Sequence, residues 1–154
     1  MECTFISDSG QDLRDGLASK ASLESVHGIL LLSTPSDDVL SGAFETTLKG
    51  LDVPVFGGIF PELLYDGTKK TSGAVIVDLS YEPLITTVTG LSDDSSDFRE
   101  SLDAELPTNG YETAFVFVDG YASAIEAFIE ALFRTYSVGL NFIGGGAGTL
   151  DMEQ

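Results

Sequence analysis

Two glycine-rich strand ends offer the chemistry most worth weighing in this 154-residue chain: Val53-Pro54-Val55-Phe56-Gly57-Gly58 and Leu140-Asn141-Phe142-Ile143-Gly144-Gly145-Gly146-Ala147-Gly148. Consecutive glycines bare main-chain N–H groups and accept positive φ, so such a segment can wrap an anionic or carbonyl group. Gly144–Gly148 lacks the G-x-G-x-x-G spacing of a dinucleotide loop, no helix pattern follows it, and it has no phosphate-loop lysine. A tight strand exit where backbones pack closely is the competing reading. Ser33-Thr34-Pro35 and Asp119-Gly120-Tyr121 end the strands that precede each glycine run, and α/β sheets bind ligands at the carboxyl ends of their strands. The candidate ligand-binding residues are therefore Gly57, Gly58, Gly144, Gly145, Gly146, Gly148, Ser33, Thr34, Asp119 and Tyr121, bordering one crevice around a small polar ligand.

Catalytic chemistry has weaker support. His27 is the one histidine, and no second base or metal ligand accompanies it in sequence, so a structural or exposed role fits better. No G-x-S-x-G elbow presents a serine. Cys3 has no adjacent cation to lower its pKa and reads as an inert thiol. Asp93, Asp94 and Asp97 resemble part of a carboxylate metal site, but the calcium-loop glycine and closing glutamate are absent. They suit a helix N-terminus instead. The best acid–base pair on offer is Asp119 with Tyr121. No catalytic residue, metal ligand or cofactor is expected.

The elements that must position these residues occur twice. Gly28–Leu32 is apolar at every position, as in a strand covered on both faces. A helix capped by Asp37 or Asp38 follows, with Leu40, Ala43, Phe44, Leu48 and Leu51 on one face. The strand Val53–Ile59 returns parallel to the first, because a crossover of this length is right-handed. The pattern repeats in Ala114–Val118, a helix bearing Ile125, Phe128, Ile129, Leu132, Phe133 and Tyr136, and the second glycine strand. The first copy runs over about 28–89 and the second over about 114–154. Before them, Cys3–Ser7 reads as a strand ended by Asp8, Ser9 and Gly10, and Leu13, Leu17, Ala18 and Ala21 as a helix containing Gly16. Between the copies, a Lys69-Lys70 turn leads to Ser72–Ser80 and Leu84–Thr89, separated only by Tyr81-Glu82-Pro83, which predicts an antiparallel hairpin. A short helix then carries Phe98 and Leu102, and Pro107-Thr108-Asn109-Gly110 is a turn. The expected fold is α/β: a mixed sheet built from two strand–helix–strand repeats plus an antiparallel hairpin, helices packed on the sheet, in a single domain over 1–154. The second copy has no counterpart of the first copy's hairpin, which suits either a truncated piece or one half of a larger unit.

Composition narrows the partners. Twenty-five Asp and Glu stand against seven Lys and Arg, a formal net charge of −18. Such a surface repels nucleic acid and anionic lipid, so neither nucleic acid nor a membrane is an expected partner. The excess reads as a field for cationic ligands, a calcium-rich surface, or adaptation to a salty cytosol. The scatter of the acids favours the last, as in a halophilic archaeon. One cysteine excludes an internal disulfide and suits a reducing compartment. The N-terminus lacks the basic and apolar regions of a signal peptide, and no apolar run approaches the roughly 20 residues that span a bilayer. A cytoplasmic location is expected.

The glycine endings, with Asp66-Gly67 and Ser72-Gly73-Ala74-Val75-Ile76-Val77 between them, resemble in order and separation the N-terminal region of the FIST family. The resemblance implies an intracellular sensory module that binds small molecules, amino acids among them, and signals through attached domains. Two departures accompany it: Gly57-Gly58-Ile59 lacks the Cys, Ser or Thr often found there, and Thr149 stands where an acidic residue is common, with Asp151 two later. The expected partners are a small-molecule ligand and a C-terminal FIST portion or signalling output domain. The leading expectation is non-catalytic ligand sensing, of an amino acid or small carboxylate. An enzyme or enzyme half acting on a small carboxylate or acyl substrate is one alternative, and a module that forms homo-oligomers through a sheet edge or helix face is another.

Overall fold

The computed structural model describes residues 2–7, 10–93, 96–105, 110–136 and 139–149. The expected break at Asp8 and Ser9, most of the Pro107–Gly110 turn, and Asp94 and Asp151 lie outside these residues. The chain divides into two compact units, one of Met1–Ile85 with Gly148–Gln154, the other of Thr86–Ala147.

The first unit contains β1 (Cys3–Ile6), α1 (Gln11–Ala21), β2 (Gly28–Ser33), α2 (Gly42–Lys49), β3 (Val55–Ile59), β4 (Leu63–Tyr65), β5 (Thr68–Lys70) and β6 (Ala74–Leu79). Four strands form one mixed sheet in the order β1-β6-β2-β3. The pairing of β2 with β3 is parallel, and β6 runs antiparallel to both β1 and β2. Five of the six β2 residues are buried, as its unbroken apolar run demands of a central strand. Leu13 and Leu17 of α1 meet Ile29, Leu31, Phe44, Ala74 and Ile76 in the core. Gly16 lets α1 seat closely, since a Cβ there would lie 3.4 Å from both Ile6 and Ile76. The Tyr65 hydroxyl donates to the Cys3 carbonyl (3.3 Å), and its ring stacks on Phe5, so β4 is tied to the edge strand β1.

The second unit contains α3 (Phe98–Glu105), β7 (Thr113–Asp119), α4 (Ile125–Tyr136) and β8 (Asn141–Ala147). β7 and β8 pair in parallel over their whole length. Phe98, Leu102, Val118, Phe128, Leu132 and Tyr136 form its core. The Phe98 and Phe128 rings meet edge to face with centroids 5.5 Å apart, and the Tyr136 hydroxyl donates to the Leu102 carbonyl at 2.8 Å.

The class is α/β, with a mixed sheet and an antiparallel hairpin, but the assembly departs from expectation in four respects. Both strand–helix–strand repeats form, yet they lie in different sheets. The hairpin is β4–β5, not Ser72–Ser80 with Leu84–Thr89. β1 and β2 already occupy both edges of β6, leaving no edge for residues 84–89, which form no strand. Lys69 and Lys70 lie in β5, and the turn is Asp66-Gly67 with φ of 48° and 67°, the left-handed pair of a tight hairpin. Finally, α2 starts later than Asp37 or Asp38 would set it: Ser41 is the cap, its Oγ accepting from the Phe44 amide at 3.2 Å. Leu40 therefore precedes the helix and is 57% exposed, while Asp38 pairs with Arg14 at 2.6 Å.

Candidate functional site

Register explains the glycines before any ligand need be invoked. Leu31 lies opposite Gly57 in the first copy, and Val116 opposite Gly144 in the second. A Cβ on Gly57 would stand 1.8 Å from the Leu31 carbonyl oxygen, and one on Gly144 1.7 Å from that of Val116. In both copies the returning strand comes too close for any side chain at one glycine, the third residue of the first pairing and the fourth of the second. The repeat read from sequence is thus a repeat in three dimensions, and Gly57 and Gly144 are packing glycines. Gly145 differs: an added Cβ there meets nothing within 4 Å. Gly146 packs on Gly120, whose Cα would lie 3.1 Å from its Cβ. Gly58 pairs with Leu32 in the ladder. Gly148 groups with the first unit, where its amide donates to the Ile59 carbonyl at 2.7 Å.

Ser33 and Thr34 are 2% and 1% exposed at the exit of β2. Their hydroxyl protons go to main-chain carbonyls, Ser33 to Thr34 and Thr34 to Gly73, each at 3.0 Å. The Thr34 amide reaches the same Gly73 carbonyl at 2.9 Å, so Thr34 clamps the entry to β6 against the exit of β2. In the second copy, Asp119 is exposed and its Oδ1 accepts from the Tyr121 amide at 3.0 Å, closing the turn after β7. Tyr121 is 50% exposed. Ser33, Thr34, Gly57, Gly58 and Gly148 thus belong to one unit, and Asp119, Tyr121, Gly144, Gly145 and Gly146 to the other.

Within the second unit, Gly144 and Gly145 form part of an apolar groove of about 170 Å³, walled by Val116, Val118, Ile129, Leu132, Phe133, Phe142 and Ile143. Phe133 is 56% and Ile143 54% exposed at its margin. Phe133 meets Phe142 edge to face at 5.2 Å, so two aromatic rings shape one wall. The sequence pattern marks the glycines, and shows the walls only as two strands and one apolar helix face. The signal lay in α4, whose face carries Phe133 and Ile129 beyond the Phe128, Leu132 and Tyr136 that the core buries.

The strongest ionic cluster lies elsewhere, in the first unit. Lys20 reaches Glu2 at 2.5 Å and Asp78 at 3.2 Å, and the Glu2 amide donates to Asp78. Burial pushes the Asp78 carboxyl up, but hydrogen bonds from the Glu2 amide and Lys20, with the Lys20 charge, outweigh it and hold the carboxyl below its usual range. The hydrogen bond to Glu2 raises Lys20, burial opposes it, and Asp78 adds to the rise. This cluster fastens β1 and α1 to β6. His27 is exposed and its amide donates to the Leu79 carbonyl at 2.8 Å; Cys3 is also exposed. Among the described residues, no three His, Cys, Asp or Glu side chains are grouped so as to hold a metal ion. No helix there is long and apolar enough to cross a membrane.

Comparison with protein families, curated proteins and solved structures finds no match to this chain.

Proposed function

We propose that this acidic chain is a non-catalytic sensory domain of the FIST type, binding a small ligand such as an amino acid in a salty cytosol and passing the signal to a C-terminal portion or output domain. The observation that carries the ligand-binding part is the groove beside Gly144 and Gly145, where strand backbone without side chains borders an apolar recess. Such a recess, with main-chain polar groups at its edge, is the usual form of a small-molecule site. The first copy supports the reading by contrast, because Leu31 of its first strand and Phe44 of its helix are buried, at 7% and 3% exposure.

A thermal-shift screen of the chain in about 2 M KCl, where acid repulsion is screened, tests it against amino acids, amines, small carboxylates and nucleotides. A ligand at 100 times its Kd stabilises by about 2.7 kcal/mol, several degrees for a domain of this size. A stabilising compound that the protein leaves chemically unchanged supports sensing, turnover supports the enzyme alternative, and no stabilisation by any compound contradicts both. One observation favours the interaction module as second reading: Phe115 and Ile143 stand opposite each other in the β7–β8 pairing and are 42% and 54% exposed. Sedimentation showing self-association without any ligand effect would favour it.

A further inference from the structure

The groove sits in a strongly acidic unit. Between Thr86 and Ala147 the sequence carries five Asp and five Glu, and its only basic residues are Arg99 and Arg134. Arg134 pairs with Glu130 at 2.9 Å, so these two charges offset each other. Glu126 and Glu130 are exposed on α4, in the row beside the groove residues Ile129 and Phe133. The unit's ten acids outnumber its two arginines, so its net field is negative and an anion entering the groove meets net repulsion. The walls act in the same direction. Phe133 and Phe142 line the recess, their rings 5.2 Å apart, and aromatic faces attract organic cations. Size sets the remaining limit: a cavity of about 150 Å³ lined by Leu, Ile and Phe takes up benzene, close to the groove's volume of about 170 Å³.

We infer that the groove takes a small organic ammonium bearing one benzene-sized apolar group, the apolar part lying between α4 and β8 and the ammonium held toward Glu126. The inference rests on the ligand-binding reading of the groove and narrows it, replacing a free carboxylate by a cationic amine as the preferred occupant. An amino acid fits only if its ammonium is the end recognised.

Three probes of like size and different charge separate the possibilities: benzylamine, benzyl alcohol and phenylacetate. Each is titrated into the full chain by calorimetry at pH 7, in 2 M KCl and at the lowest KCl that preserves the far-ultraviolet circular dichroism. At the lower salt, benzylamine binds at least fivefold tighter than benzyl alcohol, and phenylacetate binds weakest; the spread narrows at 2 M KCl. E126Q removes most of the benzylamine advantage and leaves benzyl alcohol unchanged. Phe133→Ala, at a position already exposed, weakens both benzylamine and benzyl alcohol, benzylamine the more, while the spectrum is retained. Equal binding of benzylamine and benzyl alcohol, or tightest binding of phenylacetate, overturns the charge assignment and leaves the groove as a ligand site. No binding by any probe in a folded sample overturns both.

Discussion

The two strand–helix–strand copies share a register and differ in how fully they close. In each, a glycine on the returning strand lets it approach the first strand's carbonyl, Gly57 at Leu31 and Gly144 at Val116. The first copy is built into a four-stranded sheet, where β6 covers the second edge of β2 and α1 adds Leu13 and Leu17 to the core. The second copy's sheet has two strands, and α4 leaves Phe133 and Ile143 more than half exposed around a groove. The same local grammar thus yields a filled frame in one case and an open recess in the other. The difference comes from what surrounds the repeat, not from the repeat itself.

The largest effect that sharpens this comparison is predicted for Gly57→Ala and Gly144→Ala. Both force a Cβ into a carbonyl oxygen, and each costs about 4 kcal/mol or prevents folding, as read from urea unfolding. Gly145→Ala, one residue along, meets open space and changes stability by less than about 0.5 kcal/mol. If all three glycines tolerate alanine equally, the shared packing role is wrong.

Phe44 and Phe133 test the filled and open copies directly. Phe44 is 3% exposed and Phe44→Ala costs about 3 kcal/mol by cavity formation. Phe133→Ala, at 56% exposure, costs about 1 kcal/mol or less. Similar losses in the two variants would mean that the second copy is as closed as the first.

Lys20→Met probes the ionic fastening of the first unit. It leaves Asp78, 7% exposed, without its counter-charge and destabilises by about 2 kcal/mol at neutral pH. The pH dependence follows from the depressed Asp78 carboxyl. Its contribution is complete above the unfolded pKa, about 3.9, and is lost as pH falls through the lower folded value. Wild type and variant therefore converge in stability as pH falls through that range. Lys20, whose pKa is raised, gives the opposite sign: its contribution is complete below about 10.4 and fades as pH rises through the folded value. A constant gap from pH 7 to pH 2.5 would contradict this assignment.

Thr34→Val has the smallest expected effect on the first unit, about 1 kcal/mol. It removes one hydrogen bond to the Gly73 carbonyl, while the Thr34 amide still donates to that oxygen. A loss of ligand binding larger than the loss of stability would instead assign Thr34 a part in recognition.

Much of the fold was legible because it is local. The apolar run Gly28–Leu32 announced a central strand, and the periodic faces of α1 and α4 placed both helices. The Asp66-Gly67 turn was present in the sequence but was passed over for the lysines after it, although left-handed turn chemistry is carried by Asp-Gly. The pairing of β6 was not legible. Its apolar pattern shows a strand but not which neighbours it takes, and β1 lies some seventy residues away in register with it. At the site, the sequence exposed the glycines and hid their reason. A glycine required by a facing carbonyl and one facing open space look alike until the register is known.

The central claim is that the open second copy, not the filled first, receives the ligand. The most direct measurement is the amide ¹H–¹⁵N spectrum of the chain in 2 M KCl during titration with benzylamine. The account predicts progressive shifts at Gly144, Gly145 and Ile143, with Gly57 and Gly58 unmoved. Shifts centred on Gly57 and Gly58, or none at Gly144 and Gly145 up to saturating ligand, would contradict it.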